Sequence, residues 1–304
     1  MITILGPTAT GKTSFATYVA SQLNGEIISA DSRQVFRGMN IGTGKDLSDY
    51  SIDGIDIPYH LIDIVDPGYE YNVFEFQKDF LKAYEGIEAR EKFPILCGGT
   101  GMYIESVLKG YKLIDVPHNE ELREDLELKS DRELELILLD YKNLHNTTDI
   151  TERDRLLRAI EIQKYYEEHP EIDTSFPNID TIIIGINFDR RVVRSRITER
   201  LEQRLEEGMV EEVQRLLDKG ITVEQLKFYG LEYRFITQFI EGEIAYNEMF
   251  RRLNTAIHQF AKRQMTWFRR MEKQGFEIHW FDGNLSHEEK MMQLMPLLMK
   301  KSEG

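Results

Sequence analysis

The spacing of hydrophobic residues switches along the chain between a strand-like and a helix-like period, and this predicts the elements of the first hundred residues. Runs that are almost wholly apolar, typical of buried strands in a parallel sheet, lie at 2–5, 26–30 and 94–97. Amphipathic segments separate them, one ending at Leu23 and one covering residues 73–90. Strand and helix in alternation are the pattern of an α/β fold.

Residues 114–177 carry much charge and no strand-like pattern, so only helices are expected there, at 120–128, 132–144 and 153–169. The remaining predicted elements are a strand at 181–186, helices at 190–219, 222–240 and 245–273, and a strand at 276–281. We therefore predict an α/β core, residues 1–113 and 178–304, whose parallel sheet is interrupted by a mainly helical inserted domain at 114–177.

Composition and charge narrow the class of protein. The 304 residues are 41% hydrophobic, as expected of a folded rather than a disordered chain. The formal net charge, 38 − 53 = −15, disfavours indiscriminate binding to nucleic acid or to an anionic membrane, but it permits a local basic groove. Cys97 is the only cysteine, which excludes an internal disulfide. The single cysteine suits a reducing cytoplasm, where we expect the protein to act as a monomer. No apolar run reaches the roughly eighteen residues of a membrane span, so we expect no membrane partner.

A phosphate-binding motif follows the first strand: residues 6–13 read GPTATGKT, which fits the P-loop pattern G-x-x-x-x-G-K-S/T. Its glycines let backbone N–H groups converge on phosphate oxygens, and the positive end of the next helix points at them. Lys12 adds a charge, and Thr13 offers its hydroxyl to a Mg²⁺ ion on the same phosphates. The residues predicted to bind a diphosphate are Gly6, Thr8, Ala9, Thr10, Gly11, Lys12 and Thr13.

The P-loop predicts a bound di- or triphosphate without fixing the reaction, so the neighbouring polar residues matter. Asp31 ends the second strand, where side chains face the ligand crevice of a parallel sheet, and we interpret it as a base or metal-shell ligand, or else as a turn cap. The third strand runs into a glycine-rich turn around Thr100, either part of the crevice or only a tight turn. Arg196, Arg200 and Arg204 recur every four residues and share one helix face, which is either an anion-binding face or a solvated face paired with glutamates.

Five strings, in order along the chain, resemble the tRNA dimethylallyltransferases, also called tRNA isopentenyltransferases. They are GPTATGKT at 6–13, DSRQVFRGMNIGTGK at 31–45, GGTGMY at 98–103, DRLLRAIE at 154–161 and KRQMTWFR at 262–269. The resemblance implies a P-loop NTPase-like core and transfer of the dimethylallyl group of dimethylallyl diphosphate to tRNA. The acceptor would be the exocyclic amine of the adenosine 3′-adjacent to the anticodon, diphosphate would be released, and Mg²⁺ would be the cofactor.

The resemblance also implies roles for individual residues. Asp31 would take the proton of the amine, Thr100 would lie at the same junction, and Lys12 would stabilise the departing diphosphate. Arg200 is expected to contact the diphosphate, and Thr13 the metal ion. The residues expected to contact the tRNA anticodon stem-loop are Asp31, Ser32, Arg33, Gln34, Thr100, Arg123, Asp154, Arg155, Leu156, Leu157, Arg158, Lys227, Gly230 and Arg263.

Two other functions remain open at this point. A small-molecule kinase of the P-loop class has much the same core pattern, and ATP turnover would distinguish it. A non-catalytic RNA-binding protein could instead use the phosphate site as a nucleotide-sensing switch. If the protein is the transferase, replacing Asp31 should abolish group transfer while tRNA affinity is spared.

Overall fold

A computed structural model describes residues 1–111, 113–141, 153–171 and 175–302. The chain divides into two compact units: Met1–Gly110 with Pro177–Gly304, and Tyr111–Phe176. The second unit occupies the stretch for which an inserted domain is expected. Its described residues form helices and no strand, and they have a small leucine-rich core of their own.

The described strands of the first unit include a six-stranded parallel sheet with the order β5-β2-β6-β1-β7-β8. β3 and β4 form a separate antiparallel pair. The strands are β1 Ile2–Leu5, β2 Gly25–Ala30, β3 Ser51–Ile52, β4 Ile55–Asp56, β5 Tyr59–His60, β6 Phe93–Gly98, β7 Ile182–Asn187 and β8 Ile278–Asp282. This confirms the α/β class and the parallel sheet.

Helices flank this sheet in the first unit and make up the described elements of the second. They are α1 Lys12–Leu23, α2 Val73–Ala89, α3 Gly101–Leu108, α4 Glu120–Glu127, α5 Asp131–Tyr141, α6 Arg153–Glu168, α7 Arg190–Glu206, α8 Met209–Asp218, α9 Val223–Phe228, α10 Leu231–Ile240, α11 Tyr246–Lys273 and α12 His287–Ser302. A short 3-10 helix covers Leu47–Tyr50. In the described part of the chain, no helix is both long enough and apolar enough to cross a membrane.

Two expected helices are each divided in the structure. The helix expected at 190–219 is α7 followed by α8, because Gly208 between them has a φ of +97°. The helix expected at 222–240 is α9 followed by α10, with Gly230 at a φ of +135°. Such backbone angles favour glycine and interrupt a helix. The sequence analysis also missed α12, which contains Pro296 within the helix.

Two hydrophobic clusters stabilise the first unit. One lies between the sheet and helices α1 and α12, and includes the buried residues Ile4, Phe15 and Ile184. The other joins α7, α8, α10 and α11 to the segment that follows β2, through residues such as Phe36 and Tyr233. The second cluster therefore fixes the helical layer to the segment that follows Asp31.

Candidate active site

The three predicted site segments lie at one edge of the sheet. β1 pairs with β6 so that Leu5 lies opposite Gly98, and β2 pairs with β6 so that Ala30 also lies opposite Gly98. All three strands are parallel, so their carboxyl ends coincide, and ligands of such sheets bind beyond those ends. The P-loop, the turn at Asp31 and the turn at Thr100 are consequently neighbours.

The P-loop has the backbone of a phosphate cradle. Gly6 has a φ of +155°, and a Cβ added there would lie 2.5 Å from the carbonyl oxygen of Ile186. Gly11, at a φ of +73°, turns the chain into α1, whose first residue is Lys12. Inside the loop, the Thr10 hydroxyl and the Lys12 ammonium each donate to the carbonyl of Pro7 at 2.8 Å. The predicted loop residues thus form one pocket at a helix N-terminus.

Lys12 has a perturbed pKa in this pocket. Burial lowers it, the charge of Arg200 lowers it further, and Asp31 and Cys97 offset part of this effect, leaving a pKa of about 8. The charges of Arg200 and Asp31 therefore both act on Lys12. An anion bound in the loop would stabilise the charged form of Lys12.

Asp31 and Thr100 belong to one hydrogen-bonded junction. The Asp31 carboxylate accepts a bond from the backbone N–H of Arg33 at 2.9 Å, so one oxygen caps its own turn. The Thr100 hydroxyl oxygen accepts from the backbone N–H of Ser32 at 3.1 Å, and the Thr100 N–H donates to the carbonyl of Ala30. The capping interpretation of Asp31 is therefore correct for one oxygen, and the second oxygen has no hydrogen-bond partner among the described residues.

Arginines of α7 face the P-loop, as the sequence predicts. Arg196 donates from Nε to the carbonyl of Ala9 at 2.8 Å. Arg200 pairs with Asp46, and Arg204 approaches the same carboxylate at 3.2 Å. A cleft beside the loop is lined by Lys12, Thr13, Asp46, Asp49, Arg196 and Arg200, among others. Arg200 therefore lines the cleft beside the loop, while Asp46 is a partner that the sequence analysis missed.

The oxygen atoms of this cleft fit a magnesium ion. Mg²⁺ prefers hard oxygen ligands and commonly combines one or two protein oxygens with phosphate oxygens and water. The Thr13 hydroxyl would be one such ligand. The carboxylates of Asp46 and Asp49 line the same cleft, and Asp46 also pairs with Arg200 and Arg204. Burial, followed by the charge of Asp46, raises the pKa of Asp49, an effect that a bound cation would reverse.

A buried glutamate, which the sequence analysis also missed, holds the segment that leads to Asp46. Glu212 of α8 accepts hydrogen bonds from the backbone N–H groups of Asn40, Ile41 and Gly42 at 2.8–3.0 Å, and from the hydroxyl of Tyr233 at 2.7 Å. Only 3% of Glu212 is exposed. A charged residue on the apolar face of α8 is the one signal in the sequence that could have indicated it.

Gln34 and Lys45 have internal partners in the structure. The Gln34 amide accepts from the Ser29 hydroxyl at 2.8 Å and donates to the carbonyl of Gly44 at 3.2 Å. The Lys45 ammonium is buried against Asp63 and the carbonyl of Phe36. Gln34, expected at the tRNA, therefore stabilises the segment after β2 from within.

Arg33, next to the Asp31–Thr100 junction, contacts the segment at 227–232. Its guanidinium lies 5.7 Å from the ring centroid of Phe228, and its Nε is 3.7 Å from where a Cβ on Gly230 would lie. Phe228 is 62% exposed, an unusual position for a large aromatic side chain. Lys227 pairs with Glu243 at 3.1 Å.

A carboxylate that received little weight in the sequence also lies in this region. Glu232 lines a small cavity of about 20 Å³ beside Thr8, together with Arg200 and Arg204 and the apolar side chains of Ile197, Leu201, Met209 and Ile257. Burial raises its pKa, which the two arginines partly offset. Glu232 is thus a further charged neighbour of the P-loop.

The residues of the string at 262–269 face different ways. Arg263 is exposed on α11 and lies 6.0 Å from the ring centroid of Phe260. Gln264 is buried and bonded to two loops: it accepts from the Thr8 backbone N–H and donates to the Gly99 carbonyl. The Thr8 amide, expected at the diphosphate, is therefore directed to Gln264.

In the second unit, the structure corrects part of the predicted tRNA surface. Leu156 and Leu157 are 1% and 3% exposed, because they form the core of this unit with Leu126, Leu134 and Leu138. Two side chains on one helix that both pack inward cannot also contact RNA. By contrast, Asp154 and Arg155 are exposed.

Two arginines of the second unit share one buried carboxylate. Glu161 pairs with Arg123 at 3.1 Å and with Arg158, and it accepts from the backbone N–H of Asn119 at 2.6 Å. Burial alone would raise the pKa of Glu161, but these hydrogen bonds outweigh that effect and lower it to about 2. Arg123 and Arg158 each remain partly exposed, so both side chains reach the surface of this unit while they are paired with Glu161.

The fold and the site together define a class: a P-loop protein in which the phosphate cradle faces an aspartate and a threonine from two adjoining strands. Two family models match the chain, IPP transferase over residues 34–271 and isopentenyl transferase over residues 1–55. The chain belongs to the tRNA dimethylallyltransferase family.

Relatives named as tRNA dimethylallyltransferases resemble the chain over nearly its whole length. A tRNA dimethylallyltransferase 2 of Bacteroides fragilis is 60% identical, covering 96% of this chain and 95% of the relative. A tRNA dimethylallyltransferase 1 of Parabacteroides distasonis is 58% identical, covering 98% and 97%.

Solved structures are similar as well. A full-length tRNA isopentenylpyrophosphate transferase of Bacillus halodurans has a TM-score of 0.71 and 32% identity, covering 99% of this chain and 96% of that one. A eukaryotic dimethylallyltransferase acting on tRNA has a TM-score of 0.76, covering 93% and 73%, and at 23% identity it supports the fold alone.

Proposed function

We propose that this protein transfers the dimethylallyl group of dimethylallyl diphosphate to a tRNA, at the exocyclic amine of the adenosine 3′-adjacent to the anticodon. The observation that carries the proposal is the junction at the sheet edge, where the Asp31 turn is bonded to Thr100 and both adjoin the P-loop. The names and the 55–60% identity of the relatives support the same reaction.

The chain's own residues divide the reaction between two sides. The amine nitrogen attacks the first carbon of the dimethylallyl group, the bond from that carbon to the diphosphate oxygen breaks, and the amine loses one proton. Asp31 accepts this proton through the carboxylate oxygen that does not cap the turn. Lys12, the loop amides and Arg200 stabilise the charge that grows on the leaving diphosphate.

The five-carbon group requires an apolar neighbour of the cradle. The apolar side chains of Ile197, Leu201, Met209 and Ile257, which line a small cavity beside Thr8, would supply one. Thr13 would hold a Mg²⁺ ion, with Asp46 and Asp49 nearby, and the ion when bound would add positive charge at the diphosphate.

The tRNA side of the proposal rests on exposed groups near Asp31 and on the second unit. Arg33 and the exposed ring of Phe228 could receive an unstacked base, since cationic and aromatic planes both stack on bases. Asp154, Arg155, Arg123 and Arg158 would contact the anticodon stem-loop. We further propose that the protein acts as a monomer in the cytoplasm, where tRNA is modified.

The direct experiment offers the protein two donors. The protein is incubated with Mg²⁺, total tRNA and labelled dimethylallyl diphosphate, and in a parallel reaction labelled ATP replaces the allylic donor. Label from the allylic donor retained on RNA, with ATP inert, is the expected result. ATP turnover onto a small-molecule hydroxyl would instead establish a kinase and overturn the proposal.

Replacing Asp31 tests the proposed base. Asp31→Asn keeps an acceptor for the Arg33 N–H but cannot take a proton, so we expect transfer to fall by at least about a hundredfold while tRNA affinity stays near that of the unmodified protein. Asp53→Asn, an exposed aspartate in the β3–β4 turn, is the matched control and should retain full activity. Undiminished transfer by Asp31→Asn would remove Asp31 as the base.

A further inference from the structure

Gln264 connects two loops that are distant in sequence. It lies on α11, is only 7% exposed, and uses both ends of its amide. Its Oε1 accepts from the backbone N–H of Thr8 at 2.9 Å, and its Nε2 donates to the carbonyl of Gly99 at 2.9 Å. One amide group therefore bridges the P-loop and the glycine-rich turn beyond the ends of β1 and β6, which are themselves paired at Leu5 and Gly98.

The contact surface of α11 fits the glycine-rich turn closely. A Cβ added to Gly99 would lie 2.4 Å from Nε2 of Gln264, and a Cβ on Gly101 would lie 2.4 Å from Cδ1 of Trp267. Both distances are far below a van der Waals contact. The two glycines on either side of Thr100 thus allow α11 to pack directly against the backbone that carries Thr100.

The two loops serve opposite halves of the reaction. The P-loop carries the charge that stabilises the diphosphate, and the turn at Gly99 carries Thr100, which is bonded to the Asp31 turn. Each half also has hydrogen bonds of its own: Thr10 to Pro7 in the P-loop, and Thr100 to Ser32 in the junction. Gln264 joins one half to the other.

We propose that Gln264 is a positioning residue, which fixes the phosphate cradle relative to the Asp31–Thr100 junction so that donor carbon and acceptor amine meet in line. This inference rests on the proposed function. Because each half keeps its internal bonds without Gln264, its loss should leave the binding of each substrate largely intact and slow the chemical step. Small misplacements of reacting groups are known to cost up to about a hundredfold in rate.

The test uses Gln264→Met, which keeps the length and volume of the side chain and removes both hydrogen bonds. Single-turnover transfer is measured with dimethylallyl diphosphate and tRNA both saturating, and dissociation constants are measured separately for inorganic pyrophosphate and for tRNA. We expect the rate to fall about tenfold or more and each dissociation constant to change by less than about threefold.

Gln77→Met is the matched control, because Gln77 is also buried, at 4% exposure, and donates to the carbonyl of Ser106 at 2.9 Å outside the site. It should lower the midpoint of thermal unfolding without slowing transfer. Gln264→Glu is a second variant for the case that Gln264→Met does not fold. It keeps the acceptor for Thr8 but sets a carboxylate oxygen against the Gly99 carbonyl, and it should slow transfer in the same way.

Three results would overturn the inference: a Gln264 variant as fast as the unmodified protein, a rate loss no larger than that of Gln77→Met, or a rate loss explained by weaker binding of both substrates. Measuring transfer by the unmodified protein distinguishes a failure of this inference from a failure of the proposed function. If it transfers no dimethylallyl group, the proposed function fails, whereas a normal rate with an unaffected Gln264 variant rejects only the positioning role.

Discussion

At the scale of single residues, Lys12 makes the binding of diphosphate depend on pH. Burial and the neighbouring Arg200 leave this lysine with a pKa of about 8 in the protein. A bound anion favours the charged form, so the affinity should be steady below that pKa. Above it, the protein must take up a proton to bind, and affinity should fall by up to about tenfold per pH unit.

The measurement compares the unmodified protein with Lys12→Arg, whose guanidinium stays charged throughout the range. Pyrophosphate affinity is determined by calorimetry between about pH 7 and about pH 9. The ratio of the two affinities removes the ionisation of pyrophosphate itself. A ratio that does not change with pH would show that Lys12 remains fully charged across this range.

The sequence predicted the backbone of the P-loop well, because there the backbone itself forms the pocket and a glycine pattern reports it directly. The sequence was less informative where a side chain could point either to the interior or to the surface. Gln34 turned inward to Ser29 and Gly44, and Leu156 turned inward to the core of the second unit. Glu212 and Gln264 act through contacts with segments that are about 170 and more than 250 residues away, respectively, and no local pattern encodes these.

At the scale of elements, two glycines should respond oppositely to replacement by alanine. A Cβ on Gly98 would lie 2.2 Å from the carbonyl oxygen of Ala30, where neighbouring strand backbones are in contact. We expect Gly98→Ala to reduce the free energy of unfolding by about 1–3 kcal/mol. Gly86 lies inside α2 and has only the flexible end of Arg90 nearby, at 3.4 Å. Gly86→Ala should therefore increase the free energy of unfolding by about 0.5–1 kcal/mol.

Equilibrium unfolding in urea measures both changes. Gly98→Ala should also slow transfer, since Gly98 directly precedes the turn that carries Thr100. A Gly98 variant as stable as the unmodified protein would mean that β2 and β6 can separate without cost.

Periodicity predicted the long elements and failed on the short ones. α2 begins after Asn72 with a capping box to Glu75, as the sequence suggests. The strands between residues 51 and 60 have only two residues each, too few for any alternation to appear. α7 and α8 were joined because both carry a continuous charged face, which concealed the break at Gly208.

At the scale of the whole molecule, the second unit should lose stability in acid through Glu161. Its pKa in the protein is about 2, against an ordinary value of 4.5. A carboxylate with a lowered pKa contributes stability that is complete above the ordinary value and is lost as pH falls toward the lowered one. Acid should therefore open this unit between these two values.

Hydrogen exchange of the α4 and α6 amides measures this effect. Glu161→Gln leaves Arg123 and Arg158 without their carboxylate, and protection should fall by about 1–3 kcal/mol at neutral pH. Glu124→Gln, an exposed glutamate of α4, should leave exchange unchanged. Equal protection in all three proteins would show that the arginines keep their positions without Glu161.

The order of strands also governs how the chain can form during translation. The first strand, Ile2–Leu5, lies between a strand made early, Phe93–Gly98, and one made only after the insertion, Ile182–Asn187. A nascent chain that has left the ribosome up to the insertion therefore exposes one side of its first strand to solvent. Until residue 187 emerges, that edge is open to any other strand, and a chaperone that shields it would act within this interval.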